Sequence, residues 1–419
     1  MNNIKLHNGS YNKVIYLVFM ICVFTNSGYA LNTTSFSYIS TMLLLIAVLS
    51  FFLTLLIKNK INIAVDKLEF IALLLMVPIF LSILIHLDFN NLMYTMRILL
   101  IIFVSYIICK EISFENFTKF FTNVMYILTL VSILVSIISF YISFDWLPNV
   151  LNVNNVNYIN GYLFFLIPDN SDGIPRAMSI FWEPGIFATF LIFSLILESF
   201  FKKKNGSLLK IIAFSVALLL TQSSAGYFLY IIYLLMIVEK YNGNKIHKIF
   251  ANLILFNLLL LIIVFWNQIK LILLNLNYNI FSKFFSEDIQ TTNTRLLSPL
   301  LNLEIFSSSP LLGKGFVEAE KNYNFLKLNY DISFRIDAQT STSTLFLAAI
   351  GITGIIYTLL WVVSIYKLNN LSFLNRVYLL VIILCILNKE PHTQILFTYC
   401  LLFYFYTNNN LFESRLKNE

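Results

Sequence analysis

The chain alternates long apolar runs with short polar connections. Runs such as 41–57 and 250–269 are long enough to cross a bilayer and hold almost no charge. This pattern predicts an all-α polytopic membrane protein in which residues 1–419 form a single integral membrane domain. The pattern predicts about 12 transmembrane helices, at 14–30, 36–57, 68–87, 91–109, 120–144, 179–201, 208–222, 225–239, 249–269, 341–366, 376–388 and 394–408.

Two connections are longer than the rest. The first, 145–178, is rich in Asn and holds three prolines, which predicts a loop rather than a helix. The second runs from 270 to 340 and is the longest. Within it, 294–306 has the apolar spacing of a short amphipathic helix that lies on the membrane surface. The turn residues of Ser309-Pro-Leu-Leu-Gly-Lys-Gly315 are expected to end that helix.

Composition and charge support this picture and give it an orientation. The chain is 58% hydrophobic and 12% charged, with a net charge of +7. A nucleic-acid partner is not expected, because the basic residues lie in short clusters between apolar runs. With the N-terminus inside, 18 of the 28 Lys and Arg residues are cytoplasmic and 9 are outside, 7 of them in the long loop. The positive-inside rule discounts long loops, so both termini are predicted to be cytoplasmic and both long loops periplasmic.

The cysteines and the N-terminus add little to the functional question. All four cysteines lie in or at the ends of apolar runs, so no disulfide framework is predicted. The apolar core 14–24 and the small residues 27–30 also resemble a cleavable signal peptide. We expect the first span to be retained, and the chain that follows it lies outside in either case.

A first candidate binding residue, Arg176, precedes the sixth span. Pro184 suits the first turn of a helix, so Glu183 is predicted to cap that helix. A helix N-terminus beside an arginine favours anions. The alternative is that Arg176 reaches lipid headgroups and Glu183 only caps the helix. Near the same surface, Thr221-Gln-Ser-Ser-Ala-Gly226 is predicted to form a tight turn that lines a cavity or lets two helices approach closely. The alternative is a turn chosen only for compactness.

Three further arginines are candidates for binding a diphosphate. Arg295 and Arg335 lie in the long loop, and a planar guanidinium that stays charged suits a diphosphate better than an ammonium does. Arg97 lies about 9 Å along the fourth span, where an arginine more often faces the bundle interior than the lipid. The alternatives are solvated loop charges for Arg295 and Arg335, and snorkelling for Arg97.

The turn Lys389-Glu-Pro-His392 contains the candidates for acid–base chemistry. Glu390 and His392 place a carboxylate beside an imidazole at the predicted outer surface, and Glu183 is a third candidate base. The alternative is an ordinary polar turn. The sequence shows neither a zinc-ligand cluster nor a Walker-type glycine loop, so we expect chemistry without a metal or cofactor.

The order of these motifs resembles the superfamily of O-antigen polymerases and O-antigen ligases. The resemblance covers about residues 170–360. It rests on Arg176 with Glu183-Pro184, Thr221-Gln-Ser-Ser-Ala-Gly226, Arg295 with Ser309-Pro-Leu-Leu-Gly-Lys-Gly315, and Thr340-Ser341 with Gly351-Ile-Thr-Gly354.

The resemblance implies a bacterial inner-membrane enzyme with a large periplasmic loop and an architecture like that of GT-C-type glycosyltransferases. Its substrates would be glycans linked to undecaprenyl diphosphate, as donor and as acceptor, with membrane lipid and a chain-length regulator protein as partners. The family's functional loop arginines correspond by position to Arg176, Arg295 and Arg335. In the ligase branch a histidine stands where this chain has Thr340, which favours a polymerase.

The expected reaction is attack of a sugar hydroxyl on a glycosyl diphosphate, which inverts the anomeric centre. Arginines would stabilise the leaving diphosphate, and a general base would take the hydroxyl proton. Two alternatives stay open: an O-antigen ligase, and a flippase that transports lipid-linked oligosaccharides. A transporter is expected to show broken helices or charges near the midplane, often in two related halves.

Overall fold

The computed structural model describes residues 10–30, 37–58, 67–139, 141–142, 144, 146–151, 157–161, 165–168, 176–202, 207–241, 289–329, 339, 341–389 and 392–407. The helices are α1 Ser10–Thr25, α2 Ser37–Lys58, α3 Lys67–Ile85, α4 Phe89–Glu111, α5 Phe114–Ile138, α6 Pro184–Ile196, α7 Leu208–Leu220, α8 Ser224–Tyr241, α9 Ile289–Ser308, α10 Phe316–Asn329, α11 Thr342–Ile350, α12 Ile355–Tyr366, α13 Phe373–Lys389 and α14 Leu396–Thr407. A π-helical turn, Leu197–Phe201, continues α6.

The helices are those of a membrane protein. Among the described residues, five stretches are long and apolar enough to cross a bilayer. These are Lys67–Ile85, Phe89–Glu111, Phe114–Ile138, Pro184–Phe201 and Thr342–Tyr366. Four shorter apolar helical stretches accompany them. The predicted ninth span, 249–269, lies outside the described residues.

The bundle is built around α6. All thirteen of its residues are buried, as expected for a helix that is apolar on every side. Its rings join a phenylalanine cluster in which Phe121 and Phe397 lie 4.2 Å apart and Phe181 and Phe190 lie 4.7 Å apart. Each such pair adds about 0.5–1.5 kcal/mol beyond the burial of its surface. This packing holds α5, α6 and α14 together beneath the loops.

The predicted span 341–366 corresponds to Thr342–Tyr366, which is long and apolar enough to cross a bilayer, but it is not one straight helix, because the chain folds back after α11. Gly351 has φ +66° and begins a 3-10 turn, Gly351–Gly354. A Cβ built on Gly354 would lie 2.3 Å from the carbonyl oxygen of Phe346. Positions 346 and 354 are eight residues apart, so in a straight helix they would be separated by about 12 Å. Helix α11 is therefore a short helix of its own.

The glycine-rich turn at 309–315 packs against this fold-back. The N–H groups of Lys314 and Gly315 donate to the carbonyl oxygens of Ala348 and Ala349, each at 2.9 Å. Gly313 has φ +69°, and a Cβ there would lie 2.4 Å from the Ala349 backbone. The turn thus satisfies carbonyls that the end of α11 leaves without helical partners. Two motifs that lie far apart in the sequence form one contact.

The two long loops contain more structure than was predicted. The loop 145–178 holds a three-stranded antiparallel sheet, β1 Asn149–Leu151, β2 Asn157–Asn160 and β3 Leu166–Pro168. In the long loop, α9 confirms the helix predicted at 294–306, and it starts earlier, at Ile289. A second helix, α10, follows the glycine-rich turn and was not predicted.

Candidate functional site

The turn between α13 and α14 lies where three helices begin. The backbone N–H of His392 donates to Oγ1 of Thr342, the first residue of α11, at 2.6 Å. Lys389 Nζ donates to the carbonyl oxygen of Gly185, in the first turn of α6, at 2.8 Å. Leu396 begins α14 just beyond. Free N–H groups give helix starts a partial positive charge, so this place favours an anion. We call Lys389, His392, Gly185 and Thr342 the turn site.

Lys389 is the main electrostatic feature of the turn site. Its side chain is almost fully buried, with 6% of the residue exposed. An ammonium group held inside the protein attracts an anion more strongly than one in water, because the effective dielectric constant is lower. The sequence analysis gave Lys389 no role, because a lone lysine in a turn between two spans is usually an exposed charge.

His392 is fully buried, and within the described residues neither ring nitrogen has a hydrogen-bond partner. Burial, helped by the nearby charge of Lys389, lowers the pKa of His392 from 6.5 to about 3. The ring is therefore neutral near pH 7, and in this state of the site it is a weak base. An anion bound beside Lys389 would raise this pKa and make His392 a stronger base.

We predict that His392 makes the protein sensitive to acid. The folded-state pKa lies below the unfolded value, so the unfolded state binds the extra proton and stability falls as the pH drops from about 6.5 toward 3. The loss is at most about 1.4 kcal/mol per pH unit. In detergent, the unfolding temperature of wild type should fall more between pH 7 and pH 5 than that of His392→Gln. The half-buried His86→Gln is the control, and equal pH dependence in wild type and His392→Gln would contradict this prediction.

A chain of hydrogen bonds fixes the start of α11 beside the turn site. The hydroxyls of Ser341 and Ser343 donate to Oδ1 of Asn388, at 2.6 and 2.7 Å. Gln339 Nε2 donates to Oδ1 of Asn302 on α9, at 2.8 Å. Asn302 in turn donates to the Ser341 carbonyl, at 3.5 Å. The network joins α9, α11 and α13, and it includes Ser341 from the motif that resembles the O-antigen enzymes.

Arg176 holds the turn between α7 and α8. Its Nε and Nη2 donate to the carbonyl oxygens of Thr221 and Gln222, both at 3.1 Å. These carbonyls follow the end of α7, where a cation also complements the helix dipole. The close-approach interpretation of this turn is confirmed, since a Cβ on Gly226 would lie 2.8 Å from Cβ of Ala188 on α6. Diphosphate binding by Arg176 stays a prediction.

Glu183 and Arg97 belong to helices that contact the turn site, α6 and α4. Pro184 begins α6 and Glu183 is its N-cap residue, as predicted, although the exposed Glu183 side chain makes no capping hydrogen bond. Arg97 is half-buried on α4, and its Nη2 donates to Oγ of Ser40 on α2 at 3.1 Å. One turn earlier on α4, the Tyr94 hydroxyl lies 3.2 Å from Oγ1 of Thr393. Arg97 is thus close to the turn that carries His392.

The side chains of the remaining candidates lie outside the described part of the structure. The backbone of Arg295 belongs to α9, but its side chain lies outside the described residues, as do Arg335 and Glu390. Their convergence with the turn site therefore stays a prediction. Within the described ranges, no three His, Cys, Asp or Glu side chains are grouped as metal ligands would be.

No protein-family model, curated protein or solved structure matches the chain.

Proposed function

We propose that this protein is a surface-polysaccharide polymerase of the O-antigen type. It transfers a glycan from undecaprenyl diphosphate to the terminal sugar of another lipid-linked repeat unit, at the periplasmic face of a bacterial inner membrane. The observation that carries this proposal is the buried pair of Lys389 and neutral His392 where α6 and α11 begin. The ammonium group of Lys389 would stabilise an anionic leaving group, and the neutral ring of His392 would accept the proton of the attacking hydroxyl.

In the proposed reaction, the acceptor hydroxyl oxygen attacks the anomeric carbon of the donor. The bond from that carbon to the diphosphate oxygen breaks, and the lipid diphosphate leaves with the electron pair. Lys389, Arg295 and Arg335 stabilise the developing charge, and the starts of α6 and α11 add their dipoles. The hydroxyl proton passes to a ring nitrogen of His392, with Glu183 and Glu390 as alternative bases. Direct displacement inverts the anomeric centre.

The proposal includes an architecture of twelve spans like that of GT-C-type glycosyltransferases, with both termini cytoplasmic. The end of the bundle opposite the turn site supports this orientation. There, Lys110 pairs with Glu69 at 2.7 Å, and Lys202 pairs with the buried Glu198 at 2.6 Å. Lysines gathered at one end of a membrane bundle are typical of its cytoplasmic side.

We predict that the turn-site end is accessible from outside the cell. Cysteine placed at the exposed Lys321 should react with a membrane-impermeant maleimide in intact cells with a permeable outer membrane. Cysteine at the exposed Lys119, at the opposite end, should react only after the inner membrane is opened. A background with Cys22, Cys109, Cys385 and Cys400 replaced removes native labelling. The reverse pattern would place the turn site in the cytoplasm and exclude this polymerase.

We predict that the arginines respond differently to replacement by lysine. Arg295→Lys and Arg335→Lys keep the charge but lose the planar fork, so polymer should fall at least tenfold without loss of protein from the membrane. Arg176→Lys also loses two bonds to carbonyls, so its unfolding temperature should fall along with polymer. Polymer gels and thermal unfolding measure both effects. If Arg295→Lys and Arg335→Lys both make polymer at the wild-type level, these two arginines are solvated loop charges and do not bind the diphosphate.

A second candidate, a flippase of lipid-linked oligosaccharide, has one specific observation in its favour. Helix α11 is a broken helix whose start lies beside a buried lysine, and transporters bind anions with such half-helices. Deletion of the gene separates the two functions. Loss of a polymerase leaves single repeat units at the periplasmic face, whereas loss of a flippase leaves none there.

A further inference from the structure

An open cavity lies where the turn between α3 and α4 faces the start of α10. Its volume is about 250 Å³, and its polar lining comes from His86, Asp88, Asn91, Lys314, Glu318 and Lys321. Lys314 belongs to the glycine-rich turn at 309–315, which the proposed reaction does not use. Asn91 lies one turn of α4 before Tyr94, which contacts Thr393. The cavity is therefore a neighbour of the turn site.

The walls of this cavity are fixed by hydrogen bonds. Asn91 Oδ1 accepts from the N–H of Phe316 at 3.0 Å, and Asn91 Nδ2 donates to the carbonyl oxygen of His86 at 3.0 Å. Gly315 has φ +78°, and a Cβ there would lie 3.2 Å from the His86 side chain. A larger residue at 315 would be strained and would press on His86. The glycine therefore keeps this wall of the cavity open.

The charges of the lining suit a neutral ligand rich in hydroxyl groups. Two lysines face two carboxylates, and Lys321 lies 3.3 Å from Glu318, so the cavity has little net attraction for a diphosphate. His86 Nε2 is buried and has no hydrogen-bond partner in the described part of the chain. Asp88 makes no capping hydrogen bond to α4. These groups are placed to accept from, and donate to, the hydroxyls of a sugar ring.

Exposed apolar side chains lie in the cavity wall or next to its lining residues in the sequence. Leu87, which also lines it, is 83% exposed, Phe89 is 71% exposed and Leu311 is 73% exposed. In a membrane protein, exposed apolar side chains of this kind are typical of a surface that contacts lipid. A polar cavity beside a lipid-facing rim fits a polar group that is carried on a membrane lipid.

We propose that this cavity binds a neutral sugar ring of the lipid-linked glycan and so holds the substrate next to the turn site. This inference rests on the proposed polymerase function, and it assigns the glycine-rich turn and Lys314 to recognition of sugar rather than of diphosphate. The size of the cavity suits one ring rather than a whole repeat unit, since sites for drug-sized ligands are about 300–1,000 Å³.

The test uses the full chain in lipid nanodiscs and saturation-transfer NMR. The probes are methyl glycosides of a hexose, an N-acetylhexosamine and a hexuronic acid, with inorganic pyrophosphate as the anionic probe. Asp88→Asn and Lys314→Gln should weaken binding of a neutral glycoside about tenfold, as expected for a lost hydrogen bond to a charged group. They should leave pyrophosphate binding unchanged. Asn90→Ala, an exposed neighbour outside the lining, is the matched control.

Each outcome decides the proposal. It is overturned if no neutral glycoside binds wild type, if both variants bind it as wild type does, or if pyrophosphate displaces it. Weaker binding in the variants and not in Asn90→Ala supports it. If the chain binds sugar but makes no polymer, the proposed polymerase function is wrong and the sugar-binding cavity still stands. If the chain makes polymer but the two variants bind sugar as wild type does, the cavity proposal is wrong and the polymerase function still stands.

Discussion

Replacing Lys389 by Met should reduce polymer formation at least about a hundredfold, the cost typical of losing one preorganised group that stabilises charge in the transition state. Methionine has a similar length and suits a buried position, so the substitution removes the charge with little change in packing. The measurement is the turnover of purified lipid-linked repeat units, with the amount of protein in the membrane determined in parallel.

Lys327 on α10 provides the matched control for this experiment. It is 5% exposed, against 6% for Lys389, so both substitutions remove a nearly buried ammonium. Lys327→Met should retain polymer formation, because the proposed reaction gives that lysine no part. Polymer from Lys389→Met within twofold of wild type would remove the turn site from the mechanism. Equal loss in both variants would mean that burial alone explains the effect.

The apolar pattern predicted much of the helix content and little of what happens at helix ends. Proline at the first position of a helix is a local signal, so the start of α6 at Pro184 was predicted correctly. The helix predicted at 294–306 was also confirmed. Its apolar spacing is likewise a local signal. Such features depend on neighbouring residues and are visible in one sequence.

The fold-back at Gly351 could not be predicted in this way. Residues 341–366 are apolar almost throughout, so a straight span and a broken one have the same hydropathy. The break depends on carbonyls that receive hydrogen bonds from a turn more than thirty residues earlier in the chain. The sequence signal that remained was the pair of glycines, which the motif resemblance quoted without a structural reason.

The same limit applies to the candidate site. His392 was selected from the sequence, and the structure places it with Lys389, which was given no role. Arg176 was selected for its charge, and the structure gives it the carbonyls at the end of α7. Charge and residue type show which groups are capable of chemistry. Which groups meet depends on contacts between helices that are distant in sequence.

Gly354→Ala should disrupt the turn site without touching any of its residues. Gly354 has φ −62°, which alanine adopts freely, so no backbone strain is expected. The added Cβ would lie 2.3 Å from the carbonyl oxygen and 2.4 Å from the carbonyl carbon of Phe346. Backbone atoms cannot move away by changing rotamer, so α11 must shift. Crowding of this kind costs about 1–3 kcal/mol or more.

The shift should reach the start of α11 and weaken the bonds from Ser341 to Asn388 and from His392 to Thr342. We therefore expect Gly354→Ala to lower the unfolding temperature and to abolish polymer together. Thr353→Ala, in the same turn, loses only a hydroxyl bond to the Ile350 carbonyl, about 1 kcal/mol, and should keep polymer. Wild-type activity and stability from Gly354→Ala would show that residues 342–366 tolerate a straighter path. The short helix α11 would then have no part in positioning the turn site.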